Sequence, residues 1–381
     1  MSSGCDQKNM NKINKLVKHE SLKHRLFNRK QALNLISGIV FIIILGLVSC
    51  KRSDHKSEKP TGSRLPKQVQ TIAFGSCNRA ELDQSYWPVI QAQNPDLWLW
   101  LGDIIYADTE DMAAMAAMYQ RQKNEPNYRR FRETVPVLGV WDDHDYGVND
   151  GDKRYPRKTE SKQLLLNFLD VDSSAAVQKR DGVYQSFDVP LVSKGHLKII
   201  LLDVRSFRDT LQSNPEGPER YLVNAHGDIL GDEQWDWLEH TLDTSSAAIN
   251  IIGGGIQFMH EDQYYEKWAN FPAALARFYR LLTQKGKPVI LLSGDRHIGE
   301  IAKRELPGQD EPLYEITSSG LTHAYLKAND NNAWRIGPLV AEKNFAVLKF
   351  RWHDDRLVVE ASLLDPDEGV VHFTQTWSYP H

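Results

Sequence analysis

VLGVWDDHDYGVND, residues 137 to 150, starts as an apolar run and ends in charge. Val137 to Trp141 carry no polar side chain, as in a strand buried on both faces, and Asp142, Asp143, His144 and Asp145 follow at once. Four adjacent ionisable groups at a strand end repel one another or titrate unless something compensates them. A cation does so.

Similar runs recur: TIAFGS (71 to 76), LWLWLG (97 to 102), LKIILLDV (197 to 204), AINIIGGGI (248 to 256) and PVILLSG (288 to 294). Helix-like segments separate them, starting at Met112, Ser161, Gly231 and Ala273. Strands alternating with helices predict an α/β domain. From Phe345 onward FAVLKFRW, RLVVEASLL and VHFTQTWS follow closely without a helix, which predicts an antiparallel group completing the fold. Trp87, Trp98, Trp100, Trp235 and Trp237 sit at core spacings.

The chain has 381 residues, 41% hydrophobic and 25% charged, with net charge -4, which fits a soluble globular domain and gives no sign of nucleic-acid binding. Its N-terminus is different. A basic stretch precedes LISGIVFIIILGLV (35 to 48), too short for the roughly 20 residues of a spanning helix and therefore of signal-peptide type. Leu47-Val48-Ser49-Cys50 resembles a bacterial lipobox, so residues 1–50 are expected to be a lipoprotein signal with Cys50 lipidated; a plain membrane anchor is the alternative. Residues 51–70 read as a flexible tether and 71–381 as one domain, a monomer held outside the cytoplasm. Cys77 is then the only thiol of that domain, either a small buried hydrophobe or a metal ligand.

Four strand-like runs end in polar clusters: Gly75-Ser76-Cys77-Asn78, Gly102-Asp103-Ile104-Ile105-Tyr106, Asp142 to Asp145, and Gly294-Asp295-Arg296-His297. Carboxyl ends of strands form the crevice of an open α/β sheet, so these clusters converge in space and point to a metal centre. The order GSC, GDxxY, WDDHD, LLSGDRH resembles the PhoD-like alkaline phosphatase D family, within the calcineurin-like metallophosphoesterases and related to purple acid phosphatases. LLDVRSFRD (201 to 209) and EQWDWLEHTL (233 to 242) fit the same resemblance.

The resemblance implies a four-layer α/β/β/α sandwich and hydrolysis of phosphate monoesters or diesters through a metal-bound hydroxide. It makes Asp103 a bridging ligand and assigns Cys77, Tyr106 and His297 to a first, Fe(III) site. At the second site Asp143 stands where relatives have asparagine and Asp295 where they have histidine, and no histidine follows AINIIGGGI, where Gln257 is the nearest polar residue. Oxygen ligands favour a hard cation there, Ca²⁺ with Mg²⁺ as the alternative. His144 is expected to act on the substrate, assisting the leaving group, with Asp143 beside it. Asp142 and Asp145 would orient ligands, or Asp145 would itself reach a metal.

Arg205, Arg208, Arg296 and Asn149 are candidates for phosphate contact; His260, Glu261, Asp262 and His323 are weaker ones. Family members carry an additional β domain before GSC, which is expected to be absent here. A strict phosphodiesterase on cell-wall polymer or phospholipid, and a binding protein that has lost catalysis, are the competing expectations.

Overall fold

The computed structural model describes residues 65–380. The signal, the lipidation candidate Cys50 and most of the tether lie outside these residues. The tether's end does not: Val69 is fully buried, bridges Leu191 and donates its N–H to the Pro190 carbonyl at 2.7 Å. The structured domain therefore starts before the expected residue 71. No helix among the described residues is long and apolar enough to cross a membrane.

Two mixed sheets build the domain. In the first, β1 (Thr71–Gly75), β2 (Leu97–Leu101) and β3 (Val137–Val140) run parallel, and the antiparallel meander of β11 (Phe345–His353), β12 (Arg356–Leu364) and β13 (Val371–Pro380) joins at β1. In the second, β5 (His196–Leu201), β6 (Ile249–Gly253), β7 (Val289–Ser293) and β9 (Leu313–Ser318) are parallel. Antiparallel β4 (Gln185–Pro190) closes one edge, and β8 (Gly299–Arg304) with β10 (Arg335–Val340) closes the other. The six continuous apolar runs are all strands, and the tail forms the meander.

The alternation of side chains along the second sheet defines the layers. Ile199, Leu201, Ile251, Ile290 and Leu292 pack with the first sheet's core. Their neighbours Ile200, Ile252 and Leu291 pack instead with α6 (Gly231–Asp243) and α7 (Pro272–Lys285). On the first sheet Trp98 and Trp100 meet Trp87 of α1 (Trp87–Ala92) at ring distances of 5.1 and 5.6 Å. Trp87 also touches Tyr128 and Phe131 of α3 (Pro126–Thr134). Such aromatic pairs add about 0.5–1.5 kcal/mol each beyond the area they bury. With α2 (Met112–Asn124) packed on α5 (Lys158–Phe168), the outer helix layer on this side is complete. The result is the α/β/β/α sandwich.

This arrangement puts the carboxyl ends of the parallel strands on one edge. Backbone bonds knit the loops there: Asn78 N–H to the Asp103 carbonyl at 2.8 Å, Gly294 N–H to Gly255 at 2.6 Å, and Tyr325 N–H to His297 at 2.8 Å.

Candidate metal centre

Cys77 follows β1, Asp103 and Tyr106 follow β2, and Asp295 with His297 follow β7. Asp143 and His144 belong to α4 (Asp143–Tyr146), a single turn after β3. Ten non-glycine residues have positive φ among those described, and Cys77, Asp103, Asp295 and His297 are four of them, at 60°, 49°, 67° and 56°. Asp108 and Asp150, also at the site, are two more, so unfavourable backbone is concentrated where the ligand-type side chains are.

The donor atoms form three overlapping groups, each within 4.8 Å: Cys77, Asp103 and His297; Asp103, Asp143 and His144; and Asp103, Asp142, Asp143 and Asp295. Asp103 is common to all three, the placement a bridging ligand needs. Tyr106 Oη lies 3.3 Å from Asp103 Oδ2 and 3.0 Å from His297 Nε2, which joins it to the first group.

The residues fit metal ions by a test independent of resemblance. Asp103 Oδ1 and Asp142 Oδ2 are buried oxygens with no hydrogen-bond partner, which carboxylates avoid unless a cation completes them. Burial, then repulsion from Asp143, Asp142, Asp145 and Asp295, pushes the Asp103 pKa well up. Burial and Asp143 push Asp295 up to about 7. Burial also raises the Cys77 thiol and the Tyr106 phenol, groups that ionise on coordination. Burial and the neighbouring His323 hold His297 near about 3, so its imidazole is neutral, the form that ligates.

Asp143 is different. Burial opposes its charge, but Arg205, His144 and the N–H groups of Asp150 and His144, at 2.6 and 2.9 Å, keep it ionised.

The structure gives Asp145 another task from metal binding: its Oδ1 accepts the Asp142 N–H at 2.6 Å and its Oδ2 the Ile104 N–H at 3.1 Å. Asp142 comes closer to the centre than Asp145, in a cradle only glycine permits. A Cβ on Gly255 would lie 2.2 Å from Asp142 Cγ, and one on Gly102, at φ +89°, 2.2 Å from Asp142 Cβ.

Arg205 and Arg208 were expected at phosphate, yet both are fully buried. Arg205 donates to Asp142 Oδ1 at 2.5 Å and to Glu266 Oε2 at 2.7 Å. Arg208 pairs with Glu266 Oε1 at 2.9 Å and holds the Gly151 carbonyl at 2.9 Å. Their guanidinium groups are spent on positioning the cluster from beneath, because desolvating an arginine demands full pairing. Arg296 and Asn149 do line the cleft above the centre, along with Arg220, Tyr265 and Tyr325, which sequence patterns did not single out. Arg296 lies 4.5 Å over the Tyr265 ring and pairs with Asp330 at 2.5 Å.

Of the weaker candidates, Glu261 pairs with Arg304 at 2.6 Å. His260 is buried among the charges of Glu300, Arg296, Asp330 and Arg335. Gln257 turns its amide nitrogen to Glu300 and Thr317, at 2.7 and 3.0 Å, and its Oε1 is buried without a hydrogen-bond partner. His323 packs on His297 and Tyr106, with ring distances of 4.4 and 5.3 Å. Its Nδ1 meets Thr322 Oγ1 at 3.0 Å, and that hydroxyl donates to the Cys77 carbonyl at 3.1 Å. The oxygen must therefore accept from Nδ1–H, which leaves Nε2 with a lone pair, buried and unpartnered.

Sequence reasoning also passed over Asp108. Asp108 grips His144 Nδ1 at 2.8 and 2.9 Å. Burial lowers the imidazole pKa, but Asp108 and Asp143 more than offset it, and the net shift is upward.

Alkaline phosphatase D of Bacillus subtilis (strain 168) is 24% identical over 289 residues, 62% of this chain and 47% of that protein. The chain thus spans about half the length of that relative. A solved structure of PhoD superposes with a TM-score of 0.60 at 17% identity, covering 84% of this chain and 70% of that one, which shows a shared fold. The model of the PhoD-like phosphatase family matches residues 72–356, well over half of the sequence, and the chain belongs to that family.

Proposed function

We propose that this protein is a metal-dependent phosphoesterase hydrolysing phosphate monoesters or diesters. The observation that carries this is the sharing of Asp103 by three donor groups on one sandwich edge, next to a histidine held by its own carboxylate. The first group, with thiolate, phenolate and imidazole donors, suits a transition metal such as Fe(III); the all-carboxylate group of Asp103, Asp142, Asp143 and Asp295 suits Ca²⁺ or Mg²⁺. When bound, the metals supply Lewis-acid polarisation of the phosphoryl group and a lowered pKa for water.

The chain's own residues do the rest. Asp108 takes Nδ1 of His144, so Nε2 is the ring atom available to the ester, and a proton held there passes to the leaving alkoxide as its bond to phosphorus breaks. Arg296 and Asn149 would contact the phosphoryl oxygens, a role supported by their position in the cleft wall. Arg205 and Arg208 fix Asp142 and the 150–151 loop beneath.

Hydrolysis of chromogenic phosphate monoester and diester substrates, before chelation, after it and with metals restored, tests the proposal. Turnover lost with chelator and recovered only with both iron and calcium is the expected result. Tight metal uptake with no turnover of either ester would replace it with a binding role. We further propose that Cys50 carries lipid and holds the domain outside the cytoplasm, supported by the lipobox-like LVSC. Detergent-phase partitioning abolished by Cys50→Ala is the expected outcome.

A further inference from the structure

A second cleft, of about 590 Å³, opens away from the metal ligands. Five cations line it, Lys153, Lys158, Lys162, Lys179 and Arg180, against a single carboxylate, Asp181. The chain as a whole carries a net charge of -4, so this concentration of positive charge runs against its composition.

Ion pairing does not explain it. Lys153 pairs with Asp209, but among the described residues no carboxylate lies within salt-bridge distance of Lys158, Lys162, Lys179 or Arg180. Lys158 Nζ reaches only the carbonyls of Lys153 and Ser206, at 3.3 and 3.4 Å. Lys162 is 6% exposed and its ammonium meets only the carbonyls of Gln178 and Arg180. A buried ammonium without a counter-ion is costly. Of the carboxylates whose charge reaches Lys162, Asp181 lines the cleft but makes no ion pair with it, and the buried Asp203 is committed elsewhere: its oxygens accept from Trp141, Val183, Arg205 and Ser206. The N-terminus of α5, whose Lys158 and Thr159 line the cleft, carries no side-chain cap.

We infer that this cleft binds a phosphate-bearing anion, whose negative charge completes the unpaired lysines. Its position connects it to the metal centre. Lys153 stands three residues after Asp150, and Ser206 lies between Arg205 and Arg208, so two loops that flank the centre also wall the cleft. Two sources share this chemistry: a distal phosphate of a substrate whose scissile ester sits at the metals, or free phosphate. The first rests on the proposed phosphoesterase activity; the binding itself does not.

The test is calorimetric titration of the metal-loaded full chain with inorganic phosphate, comparing wild type with Lys158→Gln/Lys179→Gln. The double variant is expected to bind one phosphate fewer per chain, to keep its circular dichroism, and to hydrolyse a small chromogenic monoester within about twofold of wild type. Lys158→Arg/Lys179→Arg should retain the site. Unchanged phosphate stoichiometry in the folded glutamine variant overturns the inference.

Phosphodiester oligomers of hexanediol separate the two sources. A KM that falls about tenfold with oligomer length in wild type, and stays flat in the variant, assigns the site to a distal phosphate of the substrate. A KM flat in both, with the stoichiometry difference kept, assigns it to free phosphate. Should the wild type hydrolyse no ester, the proposed activity fails while the titration still decides the cleft.

Discussion

Asp108 holds Nδ1 of His144 with both of its carboxylate oxygens, at 2.8 and 2.9 Å, from a loop five residues past Asp103. The stretch GDIIYAD therefore supplies both the carboxylate shared by the three donor groups and the group that sets the histidine's orientation and tautomer. Asp108→Ala should lower kcat about 10–100-fold with metal content unchanged. Elemental analysis beside steady-state kinetics checks this, and an unaltered kcat removes Asp108 from the mechanism.

Tyr106→Phe removes the phenol that joins the first donor group. With iron at that site, the variant should lose a visible phenolate-to-metal absorption band while Cys77→Ser lowers iron content. A spectrum identical to wild type would take Tyr106 out of the coordination shell.

Two neighbouring glycines differ in what they tolerate. A Cβ at Gly255 collides with Asp142, whereas one at Gly254 meets only Val204 and Phe258 side-chain carbons at 3.4 Å or more. Gly255→Ala should therefore weaken the second metal about 10–100-fold and spare the first, and Gly254→Ala should spare both. Metal-binding titrations of the two variants discriminate; equal affinities would mean Asp142 is free to move aside.

Arg205 neutralises two buried carboxylates, Asp142 and Glu266. Arg205→Met strands Asp142 and leaves Glu266 to Arg208 alone, and should cost about 3–5 kcal/mol in urea unfolding at pH 7. A loss below 1 kcal/mol would show that the pair contributes little.

Glu315 gives a pH dependence remote from the metals. It is buried on β9, and burial outweighs the Phe258 and Met259 N–H bonds to its carboxylate, at 2.8 and 2.7 Å, raising its pKa to about 7. A raised carboxyl favours the folded state while protonated, so its contribution is whole below the unfolded value near 4.5 and is lost as pH rises through 7. Wild type should lose about 3 kcal/mol relative to Glu315→Gln between pH 4.5 and 7.5. Parallel denaturation curves for the two proteins would contradict this.

The strands that carry the centre were legible because burial on both faces leaves a continuous apolar run, as in LWLWLG. Strands β4, β8 and β10 at or near the sheet edges were not: DVP in β4, KR in β8 and RIGP in β10 mix polar, charged and turn-type residues. The short helices α1 and α3 escaped because they lack a long periodic pattern and are fixed by Trp87 and Phe131 against the sheet.

At the centre, ligand-type residues at strand ends were visible as a class. The division of labour among them was not. Asp145 and Arg205 have the right chemistry for metal and phosphate, and only burial and partners show them serving the backbone and Asp142. Asp108 and His144, 36 residues apart, meet only in space.

The bridge at Val69 has a mechanical consequence. Val69 is bonded to the Pro190 carbonyl at the edge of the second sheet, and the next residue, Gln70, accepts the Phe350 N–H of the first. Load arriving along the chain from upstream is thus shared between the two sheets at a single point, before it reaches β1 and the loop that bears Cys77. This segment clamps the two halves of the sandwich together, so a pull on the N-terminus bears on this clamp before it bears on the edge that carries the ligand-type side chains.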